Sequence, residues 1–289
     1  MLGAAIIHPG LRAVIPLMPE PIVKQDGTDK NDCEHNAAKR FVAKLRQDHP
    51  HLKFIVTEDS LSSNAPHIET LQAHDLRDML GVKEGDHTYL FKQVQAAEHA
   101  GRVRYAERHD HVAGLVHRVR LGNDVPRNES HADGWGNCIE SWEMGAANVQ
   151  HGRGVTNLRV SKRHVYRLMG GGRARWKIAN ETFPTLKNQG YHFEHHDGHG
   201  QQNRSVVLAR LMRLAFVVDQ TQQRCCAVLQ AVWTKLGRTR LRWERLRALF
   251  YAYALESMRH LLEALVYGVQ KPEPSFALDA SASLHRFPV

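Results

Sequence analysis

A chain of 289 residues with 42% hydrophobic and 24% charged residues has the composition of a soluble globular protein, with enough length for one large domain or two smaller ones. The net charge of +9 favours a polyanionic partner, because Lys and Arg gain by displacing the counterions condensed on nucleic acid. The apolar start lacks the regions of a signal peptide, and Arg210 and Arg213 interrupt the apolar run 206–218, which excludes a membrane span. We therefore expect a cytoplasmic protein with no membrane partner.

Two short apolar runs open the chain, at Leu2–Ile7 and Ala13–Leu17, with a Pro-Gly turn between them. They predict a β-hairpin. Apolar residues at four-residue spacing then predict a helix over residues 33–48, with Asp32 as its cap.

The next strand is predicted at residues 54–57, FIVT, and it runs directly into Glu58 and Asp59. A carboxylate at the carboxyl end of a buried strand is a favoured place for a metal ligand in an α/β sheet. Asp59 is therefore a candidate ligand. The alternative, that the acid caps the following helix, stays open at this point.

A short helix is predicted at residues 67–74 and a strand at 79–83. From residue 91 to about 158 the sequence changes to short alternating segments joined by polar turns, at Arg102–Glu107, Gly114–Leu121, Cys138–Met144 and Asn148–His151. These segments predict an antiparallel β region.

A basic helix is predicted to begin at Ser161 and to end at the three glycines 170–172. Two long helical patterns, Asn203–Leu236 and Leu241–Tyr267, predict a helical hairpin around Gly237. The arginines of the second helix could follow phosphates or simply face solvent. Residues 271–289 have the composition of a disordered tail.

The most distinctive stretch is Arg173–Gly200, RARWKIANETFPTLKNQGYHFEHHDGHG. A helix is predicted from Arg175 to Lys187, with Trp176, Phe183 and Leu186 on the face that enters a core. Its two terminal cations border a patch where an acid could be held between them. An ordinary amphipathic helix with solvated charges is the alternative.

The order of these elements and their motifs resembles the DDE transposases of bacterial insertion sequences, in the branch with a β insertion before the catalytic Glu. The resemblance covers nearly the whole chain and is carried by EPIVKQDG, KNDCE, FIVTEDSLSSNAPHI, LGVKEGDH and the stretch Arg173–Gly200. It implies an α/β fold with an RNase H-like mixed sheet, truncated at its N-terminus, an antiparallel β insertion and a C-terminal helical region.

The resemblance also implies a reaction, in which hydrolysis at transposon ends is followed by strand transfer into target DNA. The cofactor would be Mg²⁺ (or Mn²⁺), because clustered carboxylates hold the two hard cations that stabilise an in-line displacement. The partners would be double-stranded DNA, as transposon ends and target, and a second copy of the chain as a homodimer on DNA. The setting would be the bacterial cytoplasm.

Carried over by position, the family's second Asp falls on Asp59, which becomes a catalytic residue and metal ligand. The first Asp should lie on an earlier strand, and no residue of the chain matches it, so we expect a truncated copy. The family's Glu falls on position 179, which is Ala179. Glu181 is the nearest acid and a candidate catalytic residue, although an ideal helix places it poorly relative to Lys187.

The same resemblance assigns DNA phosphate binding to three cations, Arg173, Arg175 and Lys187. The following His-rich loop, His192–His199, tempts a zinc assignment, but its spacings are not those of a standard zinc site. We interpret it as a loop near DNA phosphates. The four cysteines, Cys33, Cys138, Cys225 and Cys226, also lack metal-site spacing and indicate reduced, buried thiols.

The expected organisation is an RNase H-like core at residues 1–91, a β insertion at 92–160, the signature helix and His-rich loop at 161–200, a helical hairpin at 201–270 and the tail at 271–289. With Ala179 in place of Glu, we expect a transposase that is catalytically defective. The alternatives are a non-catalytic DNA-binding remnant and an intact nuclease that uses Glu58, Asp59 and Glu181.

Overall fold

The computed structural model describes residues 1–11, 13–22, 33–131, 134–188, 191, 193, 204–237 and 239–269. The predicted cap Asp32 and the predicted tail lie outside these ranges. The chain forms two compact units, Met1–Val218 and Asp219–Val289.

The first unit is built on a mixed six-stranded sheet with a separate two-stranded hairpin. The hairpin consists of β1 (Ala5–Ile7) and β2 (Val14–Pro16). The sheet strands are β3 (Ile55–Glu58), β4 (Arg77–Gly81), β5 (Val103–Asp110), β6 (Leu115–Pro126), β7 (Trp135–Met144) and β8 (Val149–Thr156). Their order is β3-β4-β8-β7-β6-β5, in which β3 and β4 are parallel and the other neighbours antiparallel. The structure confirms the predicted hairpin, the strand that ends before Asp59 and the antiparallel segments.

The helices of the chain are α1 (Glu34–Asp48), α2 (Ala65–Ala73), α3 (Thr88–His99), α4 (Val165–Ala174), α5 (Phe183–Asn188), α6 (Arg204–Cys225), α7 (Ala227–Leu236), α8 (Thr239–Ala252) and α9 (Met258–Tyr267). Within the ranges that the structure describes, no helix combines the length and apolar character needed to cross a membrane.

Alternate residues of β4 enter two cores on opposite faces of the sheet, as the two-residue period of a strand requires. Leu80 packs against Leu90 and Val94 of α3. Met79 packs against Val165 and its neighbours on α4. The sheet is therefore covered on both faces, by α3 on one and by α4 on the other.

Helix α3 was not predicted, because its residues were assigned to the start of the β region. Its buried positions Leu90, Phe91, Val94 and Ala97 fit one face of a 3.6-residue period. The prediction of alternating segments from residue 91 is therefore wrong up to His99.

The bounds predicted for the basic helix are also wrong. The helix begins four residues later, at Val165, and continues through the three glycines to Ala174. A Cβ on Gly172 would lie 3.3 Å from Cε of Met79, so the glycine allows α4 to approach the sheet closely. The glycines here serve packing and do not end the helix.

The second unit contains α7, α8 and α9 around a core of Leu229, Val232, Leu262 and Leu265. The predicted second helix is interrupted between α8 and α9, where the Ser257 hydroxyl accepts a hydrogen bond from the N–H of the third residue of α9. The predicted first helix breaks between α6 and α7. Four shorter helices, α6 to α9, therefore replace the two long helices that were predicted.

The four cysteines differ in burial, although all were predicted to be buried. Cys138 is buried and Cys226 half-buried, whereas Cys33 and Cys225 are exposed. Burial raises the pKa of the Cys138 thiol to about 12, so this side chain behaves as a small hydrophobe.

Candidate functional site

Asp59 lies directly after β3, at the carboxyl end of the strand, as predicted. Its Oδ1 accepts a hydrogen bond from the Leu61 N–H at 3.1 Å and caps the 3₁₀-helix Ser60–Ser62. The capping role that the sequence left open is therefore present. A carboxylate has further lone pairs, so capping and ligand binding are compatible.

A cavity of about 140 Å³ lies at this end of the sheet, and its lining includes Glu58 but not Asp59. Gly81, at the end of β4, lines the cavity and adjoins Asp59, since a Cβ on Gly81 would lie 3.4 Å from the Asp59 carbonyl carbon. Gly152 and Gly154 of β8 line it as well. A Cβ would lie 2.9 Å from Cε of Met79 at Gly154 and 3.0 Å from Oγ of Ser141 at Gly152, so both glycines allow close packing at the cavity wall.

The opposite wall comes from the end of α4 and the residues after it, Arg173, Arg175 and Trp176. Arg173 donates a hydrogen bond to the Glu143 carboxylate, which also lies 3.2 Å from a ring nitrogen of His117. The charge of Arg173 is therefore largely balanced by the protein. Arg173 and Arg175 thus line one cavity, and Arg173 is paired with a carboxylate.

Arg175 is the cation of this wall that has no ion-pair partner among the described residues. Its guanidinium lies 4.9 Å from the ring centroid of Trp176. No carboxylate pairs with it in the part of the chain that the structure describes. An arginine stacked on an indole keeps its outer edge of N–H donors for an anion.

Lys187, the third predicted DNA-binding cation, lies on α5 with an exposed side chain. It does not line the cavity. Of the three predicted cations, Arg173 and Arg175 line the cavity.

The helix predicted from Arg175 to Lys187 is interrupted by a π-helical turn at Ile178–Thr182. A π turn inserts an extra residue and rotates all that follows, so positions before and after it do not follow a step of about 100° per residue. Trp176, predicted to be in the core, is 59% exposed, whereas Leu186 is fully buried. The predicted single apolar face is therefore wrong.

The same turn carries both positions considered for the missing acid. Ala179 is exposed on it. The backbone of Glu181 belongs to the turn, but its side chain lies outside what the structure describes. The expectation that Glu181 is placed poorly relative to Lys187 assumed a regular helix, so it does not apply here.

Glu58, the other acid of the motif, points away from Asp59, because successive strand residues face opposite sides. Its carboxylate lies 2.5 Å from Nε2 of His67, which is 4% exposed. Glu58 is thus bound to a buried partner on α2. No group of three His, Cys, Asp or Glu side chains within the described ranges could hold a metal ion, so these residues do not fit a two-metal centre.

Two basic residues to which the sequence assigned no contact, Lys177 and Arg213, bind the backbone of the hairpin. Lys177, just before the π turn, donates from Nζ to the carbonyl oxygens of His8, Pro9 and Leu11 at 2.7, 3.1 and 2.6 Å. Arg213 of α6 donates to the carbonyl of Leu17 at 3.2 Å. Both cations therefore bind backbone carbonyls of the first unit.

A buried ionic network lies on the other face of the sheet, centred on Glu140 of β7. Its carboxylate accepts hydrogen bonds from Arg153 and His151, both at 2.8 Å, and pairs with Arg120 at 2.6 Å. Burial alone would raise the pKa of Glu140, but these partners lower it below its ordinary value of 4.5. Glu140 therefore stays ionised in the fold.

The His-rich loop His192–His199 falls, apart from Phe193, outside the described residues, and its predicted place near DNA phosphates stays a prediction. No protein-family model matches the chain, and no curated protein sequence matches it.

Proposed function

We propose that this chain is an RNase H-like protein of the DDE transposase class that binds the DNA ends of an insertion sequence and does not carry out strand transfer. The observation that carries the proposal is the cavity at the carboxyl end of β3 and β4, where Arg175 has no carboxylate partner among the described residues and the lining acid, Glu58, is bound to His67.

The order and pairing of the elements support an RNase H-like fold. An antiparallel hairpin and α1 precede β3, and a second strand, β4, lies parallel to β3. Asp59 follows the first parallel strand, where the resemblance places the second acid of the family. β3 lies at one edge of the sheet that the described residues form.

The distribution of cations supports DNA as the partner. The net charge of +9 favours a polyanion, and the guanidinium of Arg175 lies at a cavity with glycine-lined walls. Arginine binds phosphate oxygens through two parallel N–H groups, which suits a phosphodiester. Contacts of this kind position DNA without reading its sequence.

The placement of the acids supports the absence of strand transfer. Position 179 carries no carboxylate, and Glu58 is bound to His67, so neither joins Asp59. An intact nuclease that uses Glu58, Asp59 and Glu181 is the weaker alternative, because it requires Glu58 to leave a buried partner. No reaction step through a metal pair is derived for this chain.

Salt-dependent DNA binding tests the proposal. Fluorescence anisotropy with duplexes that cover the DNA flanking this gene should show binding that weakens steeply between about 50 and 200 mM salt. This dependence is expected when several phosphates are contacted. Arg175→Ala should weaken binding by about threefold to tenfold and reduce the salt slope by about one.

Arg118→Ala is a matched control, because Arg118 is exposed and pairs with Glu107 on β5. This variant removes the same formal charge and should leave binding nearly unchanged. Wild-type protein that binds no duplex at 50 mM salt would refute the proposal. So would an Arg175 variant that behaves like the control.

A further inference from the structure

A second and larger cleft, of about 500 Å³, lies outside the site described above. Its walls are the start of β5, the irregular part of β6 and the loop between β8 and α4. This loop leads into the first residue of α4, whereas the cavity at the carboxyl end of β3 and β4 is lined by its last turn. A helix of 10 residues is about 15 Å long, so the two sites lie at opposite ends of α4.

One wall of the cleft carries two arginines at the edge of the sheet. Arg102 and Arg104 flank Val103 at the start of β5, and side chains two residues apart in a strand point to the same side. Both are exposed, and no carboxylate pairs with either within the ranges described. Their positive charges are therefore not balanced by the protein.

The opposite wall carries a third arginine. Arg159 lies 3.5 Å from the Asp124 carboxylate, and both side chains are largely exposed, so the pair is weak in water. Asp124 is the one acid among the cleft residues, against three arginines. An anion in the cleft could bind all three guanidinium groups and would displace Asp124 from Arg159.

The wall that carries Arg159 is fixed by side-chain hydrogen bonds to the backbone. The Asn123 amide donates to the carbonyl of Val160 at 2.9 Å and accepts from its N–H at 2.8 Å. The His164 ring lies 2.7 Å from the carbonyl of Arg159 and 2.8 Å from the Ser161 hydroxyl. These bonds hold the loop in place without an anion, so little ordering would be needed on binding.

We infer that this cleft is a binding site for a phosphate group, held by Arg102, Arg104 and Arg159. Three arginines that line one cleft suit the tetrahedral oxygens of a phosphate, since each guanidinium group can donate two parallel N–H bonds. The site goes beyond the proposed function, because it shares no lining residue with the cavity at the carboxyl end of β3 and β4.

The phosphate could belong to a DNA backbone or to a small phosphate compound, and the test separates these sources. The test variant is Arg102→Ala combined with Arg104→Ala. The matched control combines Arg118→Ala with Arg259→Ala, which removes the same formal charge at two exposed arginines that pair with Glu107 and Glu263. Thermal unfolding should be unchanged in both, since none of these side chains is buried.

Each protein is titrated with a random 20-bp duplex at several salt concentrations, and separately with inorganic pyrophosphate by calorimetry. If a DNA backbone occupies the cleft, the test variant loses about tenfold or more in duplex affinity and about two units of salt slope, whereas the control loses much less. If a small phosphate compound occupies it, pyrophosphate binds the wild type and the control, and the test variant loses about tenfold or more of that affinity.

The inference is overturned if the test variant and the control show the same affinities for both probes. The outcome is independent of the proposed function, because Arg175→Ala probes the other site. Loss of duplex binding in the Arg175 variant alone would support the proposed function and leave this cleft without a ligand.

Discussion

The Glu58 carboxylate lies 2.5 Å from Nε2 of His67, while Asp59, the next residue, caps the helix that follows β3. Two adjacent acids thus serve two different structural purposes on opposite sides of the strand. His67 is buried, so its ring depends on Glu58 for a polar partner.

Glu58→Ala should therefore destabilise the fold by about 1–3 kcal/mol, because it leaves a buried imidazole without its partner. Urea unfolding measures the change. Glu69→Ala on α2 is the control, since Glu69 is exposed and lies 3.6 Å from His131, and it should cost less than about 0.5 kcal/mol. Equal effects of the two substitutions would mean that the pair of Glu58 and His67 adds nothing to the free energy of unfolding.

The buried network around Glu140 predicts a defined pH dependence. The pKa of Glu140 in the fold lies below its ordinary value of 4.5, so its contribution to stability is complete above pH 4.5 and is lost as pH falls through the lower folded-state pKa. Glu140→Gln should cost about 3 kcal/mol near pH 7, because it leaves buried arginine charge unbalanced.

The difference in unfolding free energy between wild type and Glu140→Gln should shrink as the pH falls below 4.5. Glu84→Gln is the control, since Glu84 also pairs with Arg153 but is largely exposed. It should change stability little at any pH. A difference for Glu140 that stays constant down to pH 2 would contradict this interpretation of the network.

Lys177 gives a third prediction, concerning the hairpin. Lys177→Met removes the donor to the carbonyls of His8, Pro9 and Leu11 and should destabilise the first unit by about 1–3 kcal/mol. Amide hydrogen exchange of the paired residues Ile6 and Ile15 should accelerate.

Lys162→Met is the control for the hairpin, because Lys162 is exposed at the start of the α4 region and has no carbonyl partner in the described part of the chain. It should leave exchange in the hairpin unchanged. Equal acceleration in both variants would show that Lys177 does not fix the hairpin.

The strands of the first unit could be predicted from the sequence because their patterns are local. Residues 54–57 are apolar and end at acids, and β3 covers 55–58. The position of Asp59 at the carboxyl end of that strand could therefore be predicted from the sequence. Parallel pairing with β4 and the edge position of β3 depend on contacts distant in sequence, which no local period reveals.

The candidate site was less predictable because its geometry depends on one irregular turn. A π turn has no reliable pattern in sequence, and it rotates Phe183 and Leu186 relative to Trp176, so the three residues do not share the predicted face. Arg173 pairs with Glu143 of β7, which lies 30 residues away in sequence, so the charge at the cavity could not be read from composition. The cleft at the other end of α4 joins three distant segments and was missed for the same reason.

Position 179 supplies a fourth prediction, which tests the resemblance itself. If this position lies where the family carries its Glu, Ala179→Glu should add a second carboxylate near Asp59 and create Mn²⁺ binding, measured by calorimetry. Adding Asp59→Asn should remove that binding. Mn²⁺ binding that is equal in wild type and Ala179→Glu would indicate that position 179 does not face Asp59.

The central claim is that the chain binds DNA ends without cutting them. The most direct measurement incubates purified protein with labelled duplexes that cover the DNA flanking this gene, in Mg²⁺ or Mn²⁺, and follows binding and strand integrity together. The account predicts duplex that is bound and remains intact. Nicked or joined strands that accumulate with time, and that disappear in Asp59→Asn, would contradict it.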